Sequence, residues 1–430
     1  MLTFGNGRRV AIVAGVRTPF ARAGSALKDL TAIDLGRAAV AELMQRSELD
    51  GALVDVLVFG TVVQSVVAPN IAREVSLLPH FPKTLQAYTV GRACASANQA
   101  ITDAADQIAL GHAHIAVAGG AESLTQVPIL HSRGMSDVLV AASKAKSMSQ
   151  RLAIFAKLRP KDFVPITPAI AEPSTGETMG QSADKMAKLN GISREAQDRY
   201  ALGSHQKAAA GTADGRLTDE IVAIATPPAF EMLASDNGIR RDTTYEALAA
   251  LKPAFDRQYG SVTAGNASPL SDGGAAVLLM SEARALALGY TPMAFIKSYA
   301  YAAVDPSEQL LQAPVLAVPV ALQRAGLTLT DIDLVEMHEA FASQVLSNIQ
   351  GLASKAWAAR AGFSQATGDI DLNRLNVMGG SLSIGHPFGA TGARVLTTLC
   401  NELARRGGQF GMLTVCAAGG MGHAMIVERT

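Results

Sequence analysis

The sequence predicts an α/β fold whose mostly parallel sheet is covered by helices on both faces. Short apolar runs that are typical of buried strands alternate with alanine-rich stretches that carry a helical rhythm. Features of the first part of the chain return in the same order near its end, which indicates two similar halves. The 430 residues are 49% hydrophobic and 17% charged, so the chain has enough apolar surface for a large core.

The first part of the chain shows the alternation most plainly. Residues 10–14, 53–59 and 114–118 are apolar runs, and they predict strands that are buried on both faces. Between them, residues 32–45 and 97–110 are rich in alanine. In the second of these stretches apolar side chains recur at spacings of three and four residues, which predicts a helix with one buried face.

Two pairs of segments carry the internal similarity. Residues 50–55 resemble residues 331–336, and the Ala-Gly-Gly at 118–120 returns at 418–420. Each Ala-Gly-Gly follows a predicted helix that ends at a glycine and then an apolar strand. Chance similarity among segments rich in Ala, Gly and Val is the alternative, but the shared order favours a duplication.

The middle of the chain, residues 126–260, has a different composition, with more charged residues and prolines. We expect it to be an insertion that packs over the two halves. Within it, residues 133–161 carry seven Lys/Arg against one Asp, and apolar side chains recur there at helical spacing. This pattern predicts a basic amphipathic helix, or a pair of them. Such a segment lies on its own domain or docks to a partner or an anionic membrane surface.

Composition excludes several classes of protein. The 37 Lys/Arg balance 37 Asp/Glu, so net charge gives no argument for nucleic-acid binding. Three cysteines, Cys94, Cys400 and Cys416, cannot make a disulfide framework and form no C-x-x-C pair, so we expect a reducing compartment and no zinc ribbon. The apolar run near the N-terminus is too short for a signal peptide, and no stretch is long enough to span a membrane. We therefore expect a soluble, intracellular protein.

Cys94 lies just before a predicted helix start. Ser96 and Gln99 fit a capping box, which places Cys94 beside the free N–H groups of a helix N-terminus. The helix dipole at that position favours an anion and lowers the pKa of a thiol, as a nucleophilic cysteine requires. A small buried core residue is the alternative.

His386 and Cys416 both lie next to glycine-rich turns. The glycines around His386 allow a close approach of backbone to a ligand, and Pro387 stiffens the chain after it. A histidine there can act as a general base toward a thiol; a turn histidine bonded to its own loop is the alternative. Cys416 precedes the turn at residues 418–422, whose N–H groups can form an oxyanion site.

His338 follows a predicted strand, at the kind of strand end where sites gather in α/β folds. The sequence lacks the second histidine of a zinc-protease helix, so we expect no metal site there. Cys400 lies within a predicted helix and is interpreted as structural. The sequence also lacks the phosphate loop, the dinucleotide fingerprint after the first strand and the G-x-S-x-G elbow, which argues against ATP, nicotinamide and serine-hydrolase chemistry.

Four motifs, in their order along the chain, resemble the thiolase family. They are Cys94 with Ser96, His338-Glu339-Ala340-Phe341, Gly385-His386-Pro387, and Cys416 followed by Gly419-Gly420 and Gly422. Residues 144–152, 177–184 and 423–428 are similar in detail to the branch that contains the β subunits of the fatty-acid β-oxidation trifunctional enzyme and their bacterial counterparts. The resemblance covers essentially the whole chain.

The resemblance implies a five-layer αβαβα thiolase fold with two similar halves and an inserted loop domain. The N-terminal half would take residues 1–125 and about 261–288, the loop domain with its basic amphipathic helices residues 126–260, and the C-terminal half residues 289–430. The implied activity is that of an acyltransferase of fatty-acid β-oxidation. It cleaves 3-ketoacyl-CoA with CoA into acetyl-CoA and a shortened acyl-CoA, through an acyl-thioester intermediate on cysteine in a ping-pong mechanism. CoA is the co-substrate, and neither a permanently bound cofactor nor a metal is implied.

The resemblance also implies roles for five residues. Cys94 is the nucleophile, and His386 takes its proton. Cys416 protonates the leaving enolate and later deprotonates the incoming CoA. One oxyanion hole uses His386 and a water held by His338, and the other uses the backbone N–H groups of Cys94 and Ala418.

Three further residues match family positions that line the tunnel for the pantetheine arm of CoA, namely Met179, Ser268 and Phe341. Two positions depart from the family pattern. His338 stands where many thiolases have Asn, and it brings a second titratable group to the site. Ala418 stands where many have Gly, which would cost strain if its φ were positive.

The resemblance implies a homodimer or a dimer of dimers. A hydratase/dehydrogenase α subunit as partner and peripheral membrane contact through residues 133–161 are further expectations. We expect no binding of nucleic acid. The expected location is the cytoplasm of a bacterium, or the mitochondrial matrix beside the inner membrane for a mature eukaryotic chain. Three alternatives remain open: an acetoacetyl-CoA thiolase that works in the biosynthetic direction, a decarboxylating ketoacyl synthase, which would not need Cys416, and an assembly subunit of a β-oxidation complex.

Overall fold

The computed structural model describes residues 8–166 and 170–430, which contain twelve β-strands and fourteen α-helices. The strands are β1 (Val10–Arg17), β2 (Ala21–Arg22), β3 (Val56–Gly60), β4 (Gln86–Val90), β5 (Ile115–Ser123), β6 (Ile224–Thr226), β7 (Glu231–Leu233), β8 (Ser271–Ser281), β9 (Ala294–Ala303), β10 (Leu334–Met337), β11 (Phe410–Ala417) and β12 (Met421–Glu428). The helices are α1 (Ala32–Ser47), α2 (Ile71–Ser76), α3 (Ser96–Leu110), α4 (Arg133–Ser143), α5 (Met148–Phe155), α6 (Met179–Asn190), α7 (Arg194–Ala213), α8 (Tyr245–Ala249), α9 (Glu282–Ala287), α10 (Pro314–Ala325), α11 (Ala342–Ala353), α12 (Lys355–Arg360), α13 (Ser381–Ile384) and α14 (Thr391–Arg406).

Ten strands form one sheet in the order β10-β11-β12-β9-β1-β8-β5-β3-β4, with β2 on β8, while β6 and β7 pair separately. The prediction of a mostly parallel sheet is wrong. Only the pairs β3–β4, β3–β5 and β10–β11 are parallel in the described sheet. One cause is local, because the tight turn at residues 418–420 joins β11 and β12 as an antiparallel hairpin.

The two similar halves are confirmed by the order and sense of their strands. In the first half the order is β3-β5-β8-β1, and in the second it is β10-β11-β12-β9. In both, the first pair is parallel and the next two are antiparallel. The halves join where residues 10–12 of β1 pair with residues 294–296 of β9.

The five-layer arrangement is also confirmed. Helices α1 and α2 pack on the outer face of the first half-sheet, and α10 and α11 pack on that of the second. Helices α3 and α14 lie between the inner faces of both. Three fully buried alanines of α3, Ala97, Ala100 and Ala104, leave room for this close packing. The residues before α3 and α14 therefore come together at the centre of the molecule.

Of the described residues, 126–166 and 170–171 form one compact unit, and residues 8–125 and 172–430 form the other. Within the first unit, the hydroxyl of Ser132 donates to the carbonyl of Asp162, 2.9 Å away, and Leu130 bridges to Ile166. The basic segment forms two helices, α4 and α5. Ala142 is the one buried side chain of α4, and α5 has none. The predicted domain boundaries at 126 and 260 stay a prediction. No helix in the described parts of the chain is both long and apolar enough to cross a bilayer.

His423 on β12 is a buried histidine outside the candidate site, and we expect it to make the protein acid-sensitive. Burial lowers its pKa to about 3 from an ordinary 6.5. As the pH falls below 6.5, His423 binds a proton in the unfolded chain but stays neutral in the folded protein, so the free energy of unfolding falls. At pH 4.5 one such histidine accounts for about 2–3 kcal/mol.

We therefore expect His423→Phe to lose less stability than the parent chain between pH 7 and pH 4.5, as measured by denaturant unfolding at each pH. His112→Phe, which replaces an exposed histidine, is the control and should retain the parent's pH dependence. An unchanged pH dependence in His423→Phe would contradict the assignment of a buried neutral imidazole.

Candidate active site

Cys94 lies in a tight turn between β4 and α3. Ala93 has a φ of 44°, in the left-handed region that a residue with a Cβ rarely adopts. The predicted capping box is wrong, because α3 begins at Ser96 itself and has no side-chain cap. The Ser96 hydroxyl instead accepts from the N–H of Arg92 (2.8 Å) and donates to the carbonyl of Ala93 (2.7 Å). Gln99 binds the Arg92 side chain. These contacts hold the strained turn, which the sequence alone did not reveal.

The fold brings Cys94 together with both predicted histidines. The sulfur of Cys94 and one ring nitrogen from each of His338 and His386 lie within 4.8 Å of one another. The two rings have centroids 4.0 Å apart. The backbone N–H groups of Ala418 and of Cys94 itself act to lower the pKa of this thiol. The φ of Ala418 is not positive, so alanine costs no strain at this position.

Cys416 lies within β11 rather than after it, and its side chain is buried. It is close enough to Cys94 for a thiolate on one to disfavour a thiolate on the other. A cluster of apolar side chains surrounds Cys416 and includes two of the residues predicted to line the CoA tunnel, Met179 and Phe341. The N–H of the third, Ser268, donates to the carbonyl before Phe341, 2.9 Å away. Their role in a CoA tunnel stays a prediction from the resemblance.

One hydrogen bond fixes the tautomer of His386. The Thr391 hydroxyl donates its one hydrogen to the carbonyl of Pro387, 2.9 Å away. It must therefore accept from Nδ1 of His386, which lies 2.7 Å from the same oxygen. The proton of the neutral ring sits on Nδ1, and the lone pair is left on Nε2. Nε2 is buried without a partner among the described residues.

His338 is held by Ser381, whose hydroxyl lies 2.9 Å from Nδ1. The next residue, Glu339, is a buried carboxylate that accepts from Tyr200 (3.0 Å) and from Asn376 (2.7 Å). It therefore ties α7 and the loop before α13 to the strand end that carries His338. Sequence reasoning missed this role, although a charged residue at the end of an apolar strand was a signal for it.

A second buried carboxylate, Glu122, fixes the loop that precedes α14. It accepts from the hydroxyl of Thr61 (3.1 Å) and from the N–H of Gly389 (3.0 Å). Burial raises its pKa. No sequence motif pointed to it. Because Gly389 is three residues after His386, Glu122 links the first half of the chain to the histidine loop of the second.

Removal from water keeps the reacting groups neutral. It raises the pKa of Cys94 to about 12, although this residue keeps part of its surface exposed, and the backbone N–H groups of Ala418 and Cys94 offset the rise only in part. The predicted lowering of the Cys94 pKa by the helix dipole is therefore wrong. Burial and the nearby Arg394 lower the pKa of His386 to about 3, while burial raises that of Cys416 well above its usual value. A standing thiolate–imidazolium pair is disfavoured, so proton transfer must accompany attack on a substrate.

Cys94, His338 and His386 also offer a sulfur and two nitrogens, which are donors that suit Zn²⁺. The expectation that the site holds no metal stays a prediction from the sequence. The same atoms suit acyl transfer, since they place a thiol, a lone pair on nitrogen and two N–H donors around one point.

Comparisons with known proteins give one family over nearly the whole chain. Residues 10–283 match the family model described as the thiolase N-terminal domain, and residues 290–429 match the model described as the thiolase C-terminal domain. A protein of Yersinia pestis (strain Pestoides F), named 3-ketoacyl-CoA thiolase, is 50% identical over 423 residues, which cover 98% of this chain and 97% of that protein.

Solved structures agree. Human mitochondrial 3-ketoacyl-CoA thiolase is 32% identical, with a TM-score of 0.83 over 98% of this chain and 99% of that one. The same human enzyme in complex with CoA gives 32% identity and a TM-score of 0.83, over 98% of each chain. Bacillus anthracis acetyl-CoA acetyltransferase is 34% identical, with a TM-score of 0.84 over 98% of each chain.

Proposed function

Because the chain belongs to the thiolase family, we propose that it is an acyltransferase that cleaves 3-ketoacyl-CoA with CoA into acetyl-CoA and a shortened acyl-CoA in fatty-acid β-oxidation. The observation that carries the proposal is the meeting of Cys94 with the lone pair of His386 beside Cys416. The biosynthetic direction uses the same groups, and the similarity to an acetyl-CoA acetyltransferase keeps it as the second candidate.

In the first half-reaction Nε2 of His386 takes the proton of Cys94 as the sulfur attacks the 3-keto carbon. The bond between Cα and Cβ of the substrate then breaks. The acyl group stays on the sulfur of Cys94 as a thioester, and the electron pair of the broken bond leaves on acetyl-CoA as its enolate. Cys416 gives its proton to that enolate, which releases acetyl-CoA.

In the second half-reaction Cys416, now a thiolate, takes the proton of an incoming CoA thiol. The CoA sulfur attacks the thioester and forms the shortened acyl-CoA. Cys94 leaves as a thiolate and recovers its proton from His386, so every group returns to its starting state. CoA is thus a co-substrate, and no permanently bound cofactor takes part.

Two places can stabilise negative oxygen. The N–H groups of Cys94 and Ala418 are near enough to the sulfur to lower its pKa, so we assign to them the oxygen of a thioester formed there. One ring nitrogen from each of His338 and His386 lies within 4.8 Å of the same sulfur. We assign to them, with a water on His338, the enolate oxygen of acetyl-CoA.

The direct test is an assay of the purified chain with acetoacetyl-CoA or a long-chain 3-ketoacyl-CoA plus CoA. We expect equal amounts of acetyl-CoA and shortened acyl-CoA. Activity that is confined to condensation of acetyl-CoA would favour the biosynthetic candidate. If no acyl transfer occurs with any 3-ketoacyl-CoA, the chain has an assembly role instead.

Thr391 gives a prediction on the tautomer of His386. Thr391→Val keeps the shape of the side chain but removes the hydroxyl that accepts from Nδ1, so the ring no longer keeps its lone pair on Nε2. We expect kcat/KM for cleavage to fall by about 10²-fold, the lower end of the usual contribution of a general base. Thr391→Ser retains the hydroxyl and should stay close to the parent. Equal kcat/KM values for Val and Ser would remove the tautomer argument.

We propose that the outer edge of β4 is the contact between two copies of the chain. β4 is the last strand of the sheet and has no partner on one side in the described chain, and such an edge is a template for strand pairing. Val66 and Val67, in the loop between β3 and α2, are 83% and 91% exposed, and we propose that the same contact covers them. The mass of the parent chain in solution, compared with that of a Val66→Asp/Val67→Asp double variant, tests this. A monomeric parent would refute it.

We propose further that residues 133–161 dock on an anionic membrane surface. Seven Lys/Arg lie in residues 133–161, and exposed apolar side chains on α5 include Met148 (69%) and Leu152 (65%). Basic and apolar groups together suit such a surface. The parent chain should sediment with phosphatidylglycerol vesicles, and a variant that lacks residues 134–160 should not. If the deletion instead abolishes capture of a hydratase/dehydrogenase α subunit and leaves vesicle binding intact, the partner is that subunit.

We assign the chain to a reducing compartment, the cytoplasm in a bacterium, because Cys94, Cys400 and Cys416 are free thiols.

A further inference from the structure

The turn at residues 418–420 has only the methyl group of Ala418 as a side chain, so it cannot fix its own shape. Gly419 and Gly420 have φ values of 85° and 69°, in the left-handed region that glycine adopts readily. Glycine permits this conformation without selecting it, because it also adopts most others. The place of the Ala418 N–H therefore depends on contacts from outside the turn.

Two loops supply those contacts. The buried carboxylate of Glu172 accepts from the N–H of Gly419, 2.8 Å away, and hydrogen bonds to an ionised acceptor are among the stronger ones in proteins. The N–H of Val304 donates to the carbonyl of Gly420, 2.7 Å away. A Cβ on Gly420 would come within 2.4 Å of the Val304 carbonyl oxygen. The turn thus has a charged acceptor at its first glycine and a close backbone contact at its second.

The two loops are themselves joined. The N–H of Glu172 donates to the carbonyl of Glu177, 2.8 Å away. Lys185 on α6 binds the Glu177 carboxylate at 2.7 Å and donates to the carbonyl of Ser307 at 3.0 Å. Lys185 therefore ties the loop that carries Glu172 to the loop that follows Val304. The acceptor for Gly419 is held in place by contacts that lie outside the reaction site.

We propose that Glu172 is a positioning residue for acyl transfer at Cys94. Through Gly419 it holds the N–H of Ala418 at the place where the thioester oxygen requires a donor. The inference rests on the proposed function, in which that N–H takes the thioester oxygen and the two histidines take the enolate oxygen. Loss of the acceptor at residue 172 should therefore slow only those steps in which the acyl oxygen becomes negative.

Acetyl-CoA allows the two oxygens to be tested separately. Exchange of isotopically labelled CoA into acetyl-CoA requires attack on a thioester at Cys94, whereas exchange of the methyl hydrogens for solvent deuterium requires the enolate. Glu172→Met keeps the length of the side chain without the acceptor. We expect it to slow the exchange of CoA by about 10²-fold, which is the usual cost of about 1 Å of misplacement. Deuterium exchange, measured after the enzyme has equilibrated with acetyl-CoA, should stay close to that of the parent.

Glu172→Gln is the matched control. Its amide oxygen can accept from Gly419, and its amide nitrogen can donate to the hydroxyl of Ser174, which now binds the other carboxylate oxygen at 3.1 Å. The exchange of CoA should then stay close to that of the parent. Glu172→Asp keeps the charge but withdraws the acceptor by one methylene, so it should slow the exchange of CoA with the same selectivity. This variant carries the test if Glu172→Met does not fold.

Unchanged exchange of CoA in both the Met and the Asp variants overturns the inference while thiolysis itself stands. Equal slowing of the two exchanges also overturns it, since that result reports a general loss of structure. If Gln slows the exchange of CoA as much as Met does, the effect belongs to the charge of Glu172 and not to its acceptor, and positioning is refuted. If the parent exchanges neither label and cleaves no 3-ketoacyl-CoA, the proposed function fails and the inference fails with it.

Discussion

Cys94→Ser is expected to abolish the acyl-enzyme and to lower kcat by at least about 10⁴-fold, because a serine hydroxyl is a far weaker nucleophile than a thiol in the same place. Incubation with a 3-ketoacyl-CoA without CoA, followed by intact-protein mass spectrometry, should show one acyl adduct on the parent chain and none on the variant. The surroundings that raise the Cys94 pKa to about 12 strengthen this expectation. A serine hydroxyl is a weaker acid than a thiol, so the same site would resist its deprotonation still more.

Cys400→Ala is the matched control, because Cys400 is buried in α14 away from the site. It should give the same adduct as the parent. An acyl adduct on Cys94→Ser, or its loss in Cys400→Ala alone, would show that another residue is the nucleophile.

Cys416→Ser is expected to lower kcat by about 10³-fold, within the usual range for loss of a general acid and base. The adduct on Cys94 should still form, although slowly, because the nucleophile and His386 remain. The distinguishing measurement is made in D₂O. With acetyl-CoA alone, the parent should exchange the methyl hydrogens for solvent deuterium, through the proton that Cys416 takes and gives, and the variant should exchange them far more slowly. Undiminished deuterium incorporation in Cys416→Ser would assign the proton transfer to another group, with His338 as the nearest candidate.

The sequence predicted the positions of the site residues better than their electrostatics. Cys94, His338 and His386 meet as the resemblance to thiolases implied, and the apolar pattern had already placed each at a strand or helix boundary. The state of Cys94 was predicted with the wrong sign. A helix start stabilises an anion by at most about 2 kcal/mol, while removal from water costs more, and a linear pattern shows the first effect but not the depth of burial.

Other features could not be predicted from the sequence because they depend on contacts between distant segments. Glu122 and Glu339 are ordinary acidic residues in the sequence, and their function as buried acceptors appears only when their donors are brought near. The positive φ of Ala93 is likewise fixed by Ser96 and Arg92, since alanine has no preference for that conformation. The prediction of parallel strand pairing failed for a related reason. Apolar runs indicate a strand that is buried on both faces, and inside five layers this is true of parallel and antiparallel strands alike.

The place of β8 has a consequence for how the chain folds as it leaves the ribosome. β8 pairs with β1 on one side and with β5 on the other, yet residues 124–270 are synthesised between β5 and β8. Until β8 emerges, the apolar edges of β1 and β5 that face it stay unpaired and exposed to solvent, and contacts this far apart in sequence form slowly. We therefore expect this protein to need chaperones during synthesis and to aggregate on rapid dilution from denaturant, however stable the finished molecule is.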